Sequence, residues 1–363
     1  MSTHDRYAFP PEGEGWDVPM AGRTHFTWEY DDGRRRLLDL YAKGKAKQWD
    51  AATRIDWSLD IDPANPLGTV PELNPIFGSP TYERLDQAGI DELTQHLMSW
   101  QFSQFLHGEQ GAAICSARLV EAVPDLDAKF YAATQVMDEA RHAETYGRFL
   151  QEKVGLVYPI NTHLQALLDD TLSDSRWDMP YLGMQVLIEG VALAAFGMLR
   201  EAATSPLPKQ ILAYVMQDEA RHVAFGRLAL KDAYADLTTK EREEREDFIV
   251  EGCYLLRDRF QAREVWETLG YDVAECVDFV EQSPIMRTYR SLLFTRIVPI
   301  VKDIGLWGAK IQKAYADMGV LDYAGVDIDS IMRDDERIAD AIDEEKSLRA
   351  RADQVHETIA AGA

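Results

Sequence analysis

"VMDEARHAETYGRFL", residues 136–150, and "MQDEARHVAFGRLAL", residues 216–230, carry the same five letters, Asp-Glu-Ala-Arg-His, 80 positions apart. One further pair of carboxylates keeps that offset. Glu109 and Glu189 each stand 30 residues ahead of the glutamate in their own copy, and the match extends to Ala112/Ala192, Leu119/Leu199, Glu121/Glu201 and Ala122/Ala202. The chain therefore contains a duplicated helix pair.

Within each copy the glutamate and histidine are three residues apart, which on a helix places them one turn apart on one face. Glu139 with His142, and Glu219 with His222, can each share an ion. An interval of 30 residues accommodates a helix, a short turn and an antiparallel return, bringing Glu109 level with Glu139 and Glu189 level with Glu219. Four carboxylates and two imidazoles then converge in one bundle core. Burying four unpaired carboxylates costs several kcal/mol each, so the arrangement calls for cations, and two divalent ions supply four positive charges. A ligand set this rich in oxygen, with imidazole, suits iron first and manganese second, and disfavours a structural zinc. Mixed charges at such spacing also describe a solvated, salt-bridged helix face. That alternative explains neither the repetition nor the setting of Glu109 and Glu189 within the apolar stretches "FLHGEQGAAICSA" and "MQVLIEGVALAAFGML".

The 363 residues, 46% hydrophobic, are enough for a sizeable core. A formal charge of -24 opposes binding to nucleic acid or an anionic membrane. The sequence shows neither an uninterrupted apolar run of spanning length nor a signal-peptide layout, so the expected address is cytoplasmic. Cys115, Cys253 and Cys276 are odd in number and far apart, which points to reduced core residues.

Strand signals are scarce and the expected class is all-α. The expected organisation is one domain, 1–363, with an N-terminal arm and helix in 1–80, a core bundle in 91–235 and a helical extension in 239–360. Four long helices are expected near 91–122, 125–154, 178–203 and 207–235, bounded by Pro124, "GLVYPIN", "DMP" and "TSPLP". One helix is expected to start near Arg34 and run through Trp49 and Ile55.

The Glu, then Glu-x-x-His, twice over, resembles the ferritin-like di-iron carboxylate superfamily, which includes di-iron oxygenases and ribonucleotide reductase small subunits. The resemblance covers about 91–235 and implies a ferritin-like four-helix bundle. It places Glu109, Glu139 and His142 around one iron and Glu189, Glu219 and His222 around the other, with glutamates bridging; a mixed Mn/Fe pair is compatible. It also implies that Asp138 and Asp218 hold the ligand histidines by hydrogen bonds, Asp138 reaching His222 and Asp218 reaching His142, with Arg141 and Arg221 bracing them. Ordinary intrahelical ion pairs are the alternative for these four. Tyr146 has the spacing of the radical tyrosine of ribonucleotide reductase small subunits, and is otherwise a core tyrosine. Hydroxylases and acyl desaturases of the superfamily place a threonine one turn after the residue matching Glu189; Ala192 and Leu193 stand there instead.

Phe105, Ala112, Ala113, Ala192 and Phe196 either outline an apolar substrate cavity or simply pack helices. Trp49 and Trp57 either conduct electrons or fill the core. The function implied is an oxidoreductase of the O2-dependent di-iron monooxygenase type, which hydroxylates, N-oxygenates or otherwise oxidises a small organic substrate. With no flavin or iron-sulfur motif in the sequence, electrons have to come from an external reductase or ferredoxin; a homodimer is compatible. Alternatives are a radical-generating protein, an iron-storage shell, which the chain length disfavours, and an acyl desaturase, whose acidic carrier a chain of this charge would repel.

Overall fold

The computed structural model describes residues 16–19, 22–28, 30 and 33–361. Most of the expected N-terminal arm lies outside these residues. Its described part takes no regular structure and rests on the bundle, with the Trp16 indole donating to Asp169 at 2.8 Å and His25 N–H to Glu121 O at 2.7 Å. Among the described residues there is no strand.

Helix α1, Arg35–Ala46, is shorter than expected. The carboxylate of Asp50 accepts from the N–H groups of Ala52 and Thr53 and so starts a separate turn, Ala51–Arg54, leaving Gln48 and Trp49 in the break. Arg34 pins the start of α1 to the bundle, donating to Asp125, Asp232 and Leu228 O. Helix α2, Gln87–Ala122, is capped by Asp86, and α3, Leu126–Phe149, by Asp125. These carboxylates take up N–H groups that have no partner inside the helix.

A helix that the sequence did not announce follows. Helix α4, Thr162–Ser173, is capped by Asn161 and fills the crossover between the two halves of the duplication. Helix α5, Asp178–Ala202, is long and apolar enough to cross a bilayer, with a mean hydropathy of 1.8, contrary to the expectation that no segment approaches such a helix. However, 78% of its most apolar window is buried within the protein, so it is the core helix of the bundle. Helix α6, Pro206–Ala233, begins on a proline, which is pre-set for a first helical turn. Helix α7, Thr239–Asp258, starts with a capping box between Thr238 and Glu241.

Helices α2 and α3 pack side by side, as do α5 and α6, and the two pairs close on each other; α1 lies across α3 and α6. The middle of α5, Leu182–Ile188, is a π-helical segment ending one residue before Glu189. Its wider turns change the direction in which the following side chains point, and such segments gather at functional sites. Gly226 of α6 lets this segment approach: a Cβ there would lie 2.5 Å from the Gln185 Cβ. Gly226→Ala is therefore expected to destabilise the protein by about 1–3 kcal/mol, read as a lower urea midpoint. An unchanged midpoint would show that the contact does not set the spacing of α5 and α6.

Candidate metal centre

Glu109 on α2, Glu139 and His142 on α3, Glu189 on α5, and Glu219 and His222 on α6 are all buried at the centre of the bundle. One cluster consists of Glu109, Glu139, His142 and Glu219, and a second of Glu139, Glu189 and His222; in each, the ligand atoms lie within 4.8 Å of one another. Glu139 belongs to both. Its Oε2 is 3.4 Å from His142 Nδ1 and its Oε1 is 3.1 Å from His222 Nδ1. Glu219 Oε1 lies 3.0 Å from His142 Nδ1 and 3.5 Å from His222 Nδ1. The two glutamates of the repeated motif thus stand between the imidazoles, and Glu109 and Glu189 stand outside.

Several of these atoms are close without being bonded. Glu139 Oε2, Glu189 Oε2, Glu219 Oε1 and His222 Nδ1 are buried and have no hydrogen-bond partner among the described residues. Unmade hydrogen bonds at buried polar atoms are costly. Donor atoms about 3 Å apart have the spacing of adjacent ligands around an ion held at about 2.1 Å. The donor set, orphaned and converging, fits a pair of divalent metal ions.

The outer imidazole nitrogens are occupied. His142 Nε2 lies 3.1 Å from Asp218 Oδ2, and His222 Nε2 lies 3.2 Å from Asp138 Oδ2, each across the bundle, so both rings turn Nδ1 inward. Arg141 donates to Asp138 at 2.5 Å and to Asp218 at 2.8 Å, while Arg221 pairs with Asp218. The intrahelical ion pairs are therefore present, and Arg141 adds a bond between the two halves. The break after α1 completes this layer. The Trp49 indole donates to Asp218 Oδ2 at 2.7 Å, and the Gln48 amide donates to Asp138 Oδ1 at 2.7 Å while accepting from Arg141.

Two glutamines escaped the sequence reading. The Gln135 amide donates to Glu139 Oε1 at 2.9 Å and to Glu189 Oε1 at 2.8 Å, joining the halves on the side away from the aspartates. The Gln185 amide faces Gln135 Oε1 at 3.4 Å. Each stands four residues before a cluster glutamate, on the same helix face, and that spacing was the available signal.

Tyr146 is buried among Phe102, Phe105 and Phe196, and its hydroxyl has no partner among the described residues. A cavity of ≈30 Å³ opens on Glu109, Glu189 and Glu219. Phe105, Ala112, Ala192 and Phe196 line it, together with Met184, Ile188 and Arg259. Ala113 does not; it follows Ala112 and so sits about 100° round the helix. Trp57 lies apart, its indole bonded to Ala51 O. Cys115, Cys253 and Cys276 are buried free thiols.

Burial, and then the neighbouring carboxylates, push the carboxyls of Glu109 and Glu189 well above the usual range. Burial opposes charge on the imidazoles, yet Glu109 beside His142, and Glu139 beside His222, raise both well above the usual range. Against the same burial, His222 and His142 hold Glu139 below it. Metal ions entering the cluster must displace these strongly held protons. Metal uptake is therefore expected to release acid and to strengthen as pH rises, measured by calorimetric titration in buffers of different ionisation enthalpy. Uptake independent of pH would contradict this electrostatic picture.

A family model described as P-aminobenzoate N-oxygenase AurF matches residues 31–305, spanning both motif copies. Among solved structures the chain is similar to variants of an R2-like ligand-binding oxidase with an anaerobically reconstituted Mn/Fe cofactor. One is 18% identical, with a TM-score of 0.47, covering 76% of this chain and 96% of that one. A second is 19% identical, with a TM-score of 0.46, covering 77% and 97%. No curated protein matches the chain. The chain belongs to the p-aminobenzoate N-oxygenase AurF family and is an O2-dependent, non-haem di-iron oxidoreductase of ferritin-like fold.

Proposed function

We propose that this protein transfers oxygen to the nitrogen of a small aromatic amine, with a p-aminobenzoate-like compound as the substrate to test. The observation that carries this reading is the convergence of four carboxylates and two imidazoles beside a buried cavity, in a chain of this family. Glu109, Glu139 and His142 would hold one iron and Glu189, Glu219 and His222 the other. Two iron ions so bound supply the reduction of O2. Converting an amine to a hydroxylamine consumes one O2, two electrons and two protons and releases one water.

The side chains around the cluster have separate duties. Asp138 and Asp218 fix the imidazole tautomers by accepting from Nε2, which keeps each Nδ1 free to ligate. Gln135 orients Glu139 and Glu189 through its amide. Phe105, Ala112, Ala192 and Phe196 keep water from the cavity face of the centre. Electrons from an external donor enter through Trp49, half-buried and bonded to Asp218, which in turn bonds His142.

The chain acts as one unit, 1–363, because its later segments complete the site: Arg259 lines the cavity, and Gln217 next to Asp218 donates to Glu336 O and Asp340. Its three free thiols suit a cytoplasmic address. The radical-generating alternative rests on Tyr146, whose phenol has no acceptor for its proton among the described residues, so the oxygenase reading is preferred.

With reductant and p-aminobenzoate, the iron-loaded protein is expected to consume O2 and yield the hydroxylamine or nitro acid, identified by mass spectrometry with 18O2. Oxygen consumption without 18O in any arylamine product would overturn the N-oxygenase reading. Trp49→Phe is expected to keep the metal content and slow reduction of the centre at least about tenfold, followed by stopped-flow absorbance. Reduction at the native rate would remove Trp49 from the electron path.

A further inference from the structure

Five arginines are buried among the described residues: Arg141, Arg221, Arg245, Arg259 and Arg290. Four of them face carboxylates. Arg141 and Arg221 pair with the aspartates behind the histidines, Arg245 with Asp178 at 2.9 Å, and Arg290 with Glu281 at 2.8 Å. Arg259 has no ion pair among the described residues. Its Nε lacks a hydrogen-bond partner among the described residues, and its guanidinium lies over the ring of Phe260, 4.9 Å away. Glu264 is near enough to act on its charge but forms no ion pair with it; one Glu264 oxygen accepts from the Asn161 amide at 2.6 Å, and the other is buried without a hydrogen-bond partner among the described residues.

A buried charge that makes no ion pair is expensive, and a protein retains one where something else completes its donors. The metal centre does not need this cation. Its four glutamates and two aspartates, set against Arg141 and Arg221, leave four negative charges, which two divalent ions cancel. Burial pushes the Arg259 guanidinium down to about 10, so it stays charged at neutral pH. Arg259 and three glutamates of the centre line the same cavity.

We infer that Arg259 recognises the substrate: its guanidinium takes the carboxylate of a small organic acid and turns the other end of that molecule toward Glu109, Glu189 and Glu219. The inference rests on the proposed oxygenase reading and supplies the residue that selects the substrate. A planar guanidinium offers two parallel N–H donors to a carboxylate, fixing orientation as well as charge. The cavity, at ≈30 Å³, is too small for an aromatic ring, so a wall has to give way. Arg259 sits on the short turn Arg259–Gln261, which ends on Ala262 at φ 52°, the one non-glycine residue with positive φ among those described. Strained backbone of this kind marks segments under functional constraint.

The test is equilibrium binding of p-aminobenzoate and of the neutral p-aminobenzamide to the iron-loaded protein by calorimetry. The native chain is expected to prefer the acid by about a hundredfold. Arg259→Leu should abolish that preference while leaving amide binding within about threefold, and Arg259→Lys should retain part of it. The iron content of Arg259→Leu should be unchanged, and its melting temperature separates a loss of fold from a loss of binding. Equal affinity of Arg259→Leu and native protein for the acid would overturn the inference, as would equal loss of both ligands. A native chain that loads iron but shows no acid preference would also overturn it, leaving the di-iron reading intact. A chain that fails to load iron would sink that reading instead; an acid preference that depends on Arg259 in the metal-free chain would still support the anchor.

Discussion

The structure depends on the placing of four carboxylates in a helical core that excludes water. No apolar packing recovers the cost of that burial; positive charge has to meet it. In the chain alone, protons held on carboxyls and imidazoles offset it, and metal ions take over from those protons. The same charge pattern decides which parts of the bundle face each other. The repeated motif supplies the inner pair, Glu139 and Glu219, and the preceding helices supply the outer pair, Glu109 and Glu189.

Around this centre, each end of the cluster is closed by a different kind of polar bridge. On one side Asp138 and Asp218 exchange contacts with histidines of the opposite half, tied together by Arg141 and reached by Gln48 and Trp49 from the break after α1. On the other, Gln135 spans the halves between Glu139 and Glu189. Buried networks of this kind make a core specific only when their members are satisfied. Glu139 Oε2, Glu189 Oε2, Glu219 Oε1 and His222 Nδ1 lack partners among the described residues and lie where the donors converge, so that ions would complete them.

Much of this was legible in the sequence because a duplication reveals itself by offset: the six cluster residues and both aspartates follow from one spacing. What stayed hidden has physical reasons. Gln135 has no counterpart in the second copy, where Val215 occupies the matching place, so the repeat did not point to it. Helix α4 is short and lies between two breaks. The π segment of α5 leaves no mark on the apolar pattern, since every residue from Leu182 to Ile188 is buried. Arg259 is distant in the chain from both motifs, and a charged residue in "RDRF" reads as surface until the fold buries it. The boundary of α1 moved because the Asp50 side chain captures local N–H groups, a competition that apolar spacing does not register.

The most direct test of the central claim is the metal content of the chain after anaerobic loading with ferrous iron and removal of free ions, by elemental analysis and Mössbauer spectroscopy. The account expects about two iron ions per chain, coupled as a pair through shared carboxylates. One uncoupled ion per chain, or none, would contradict it.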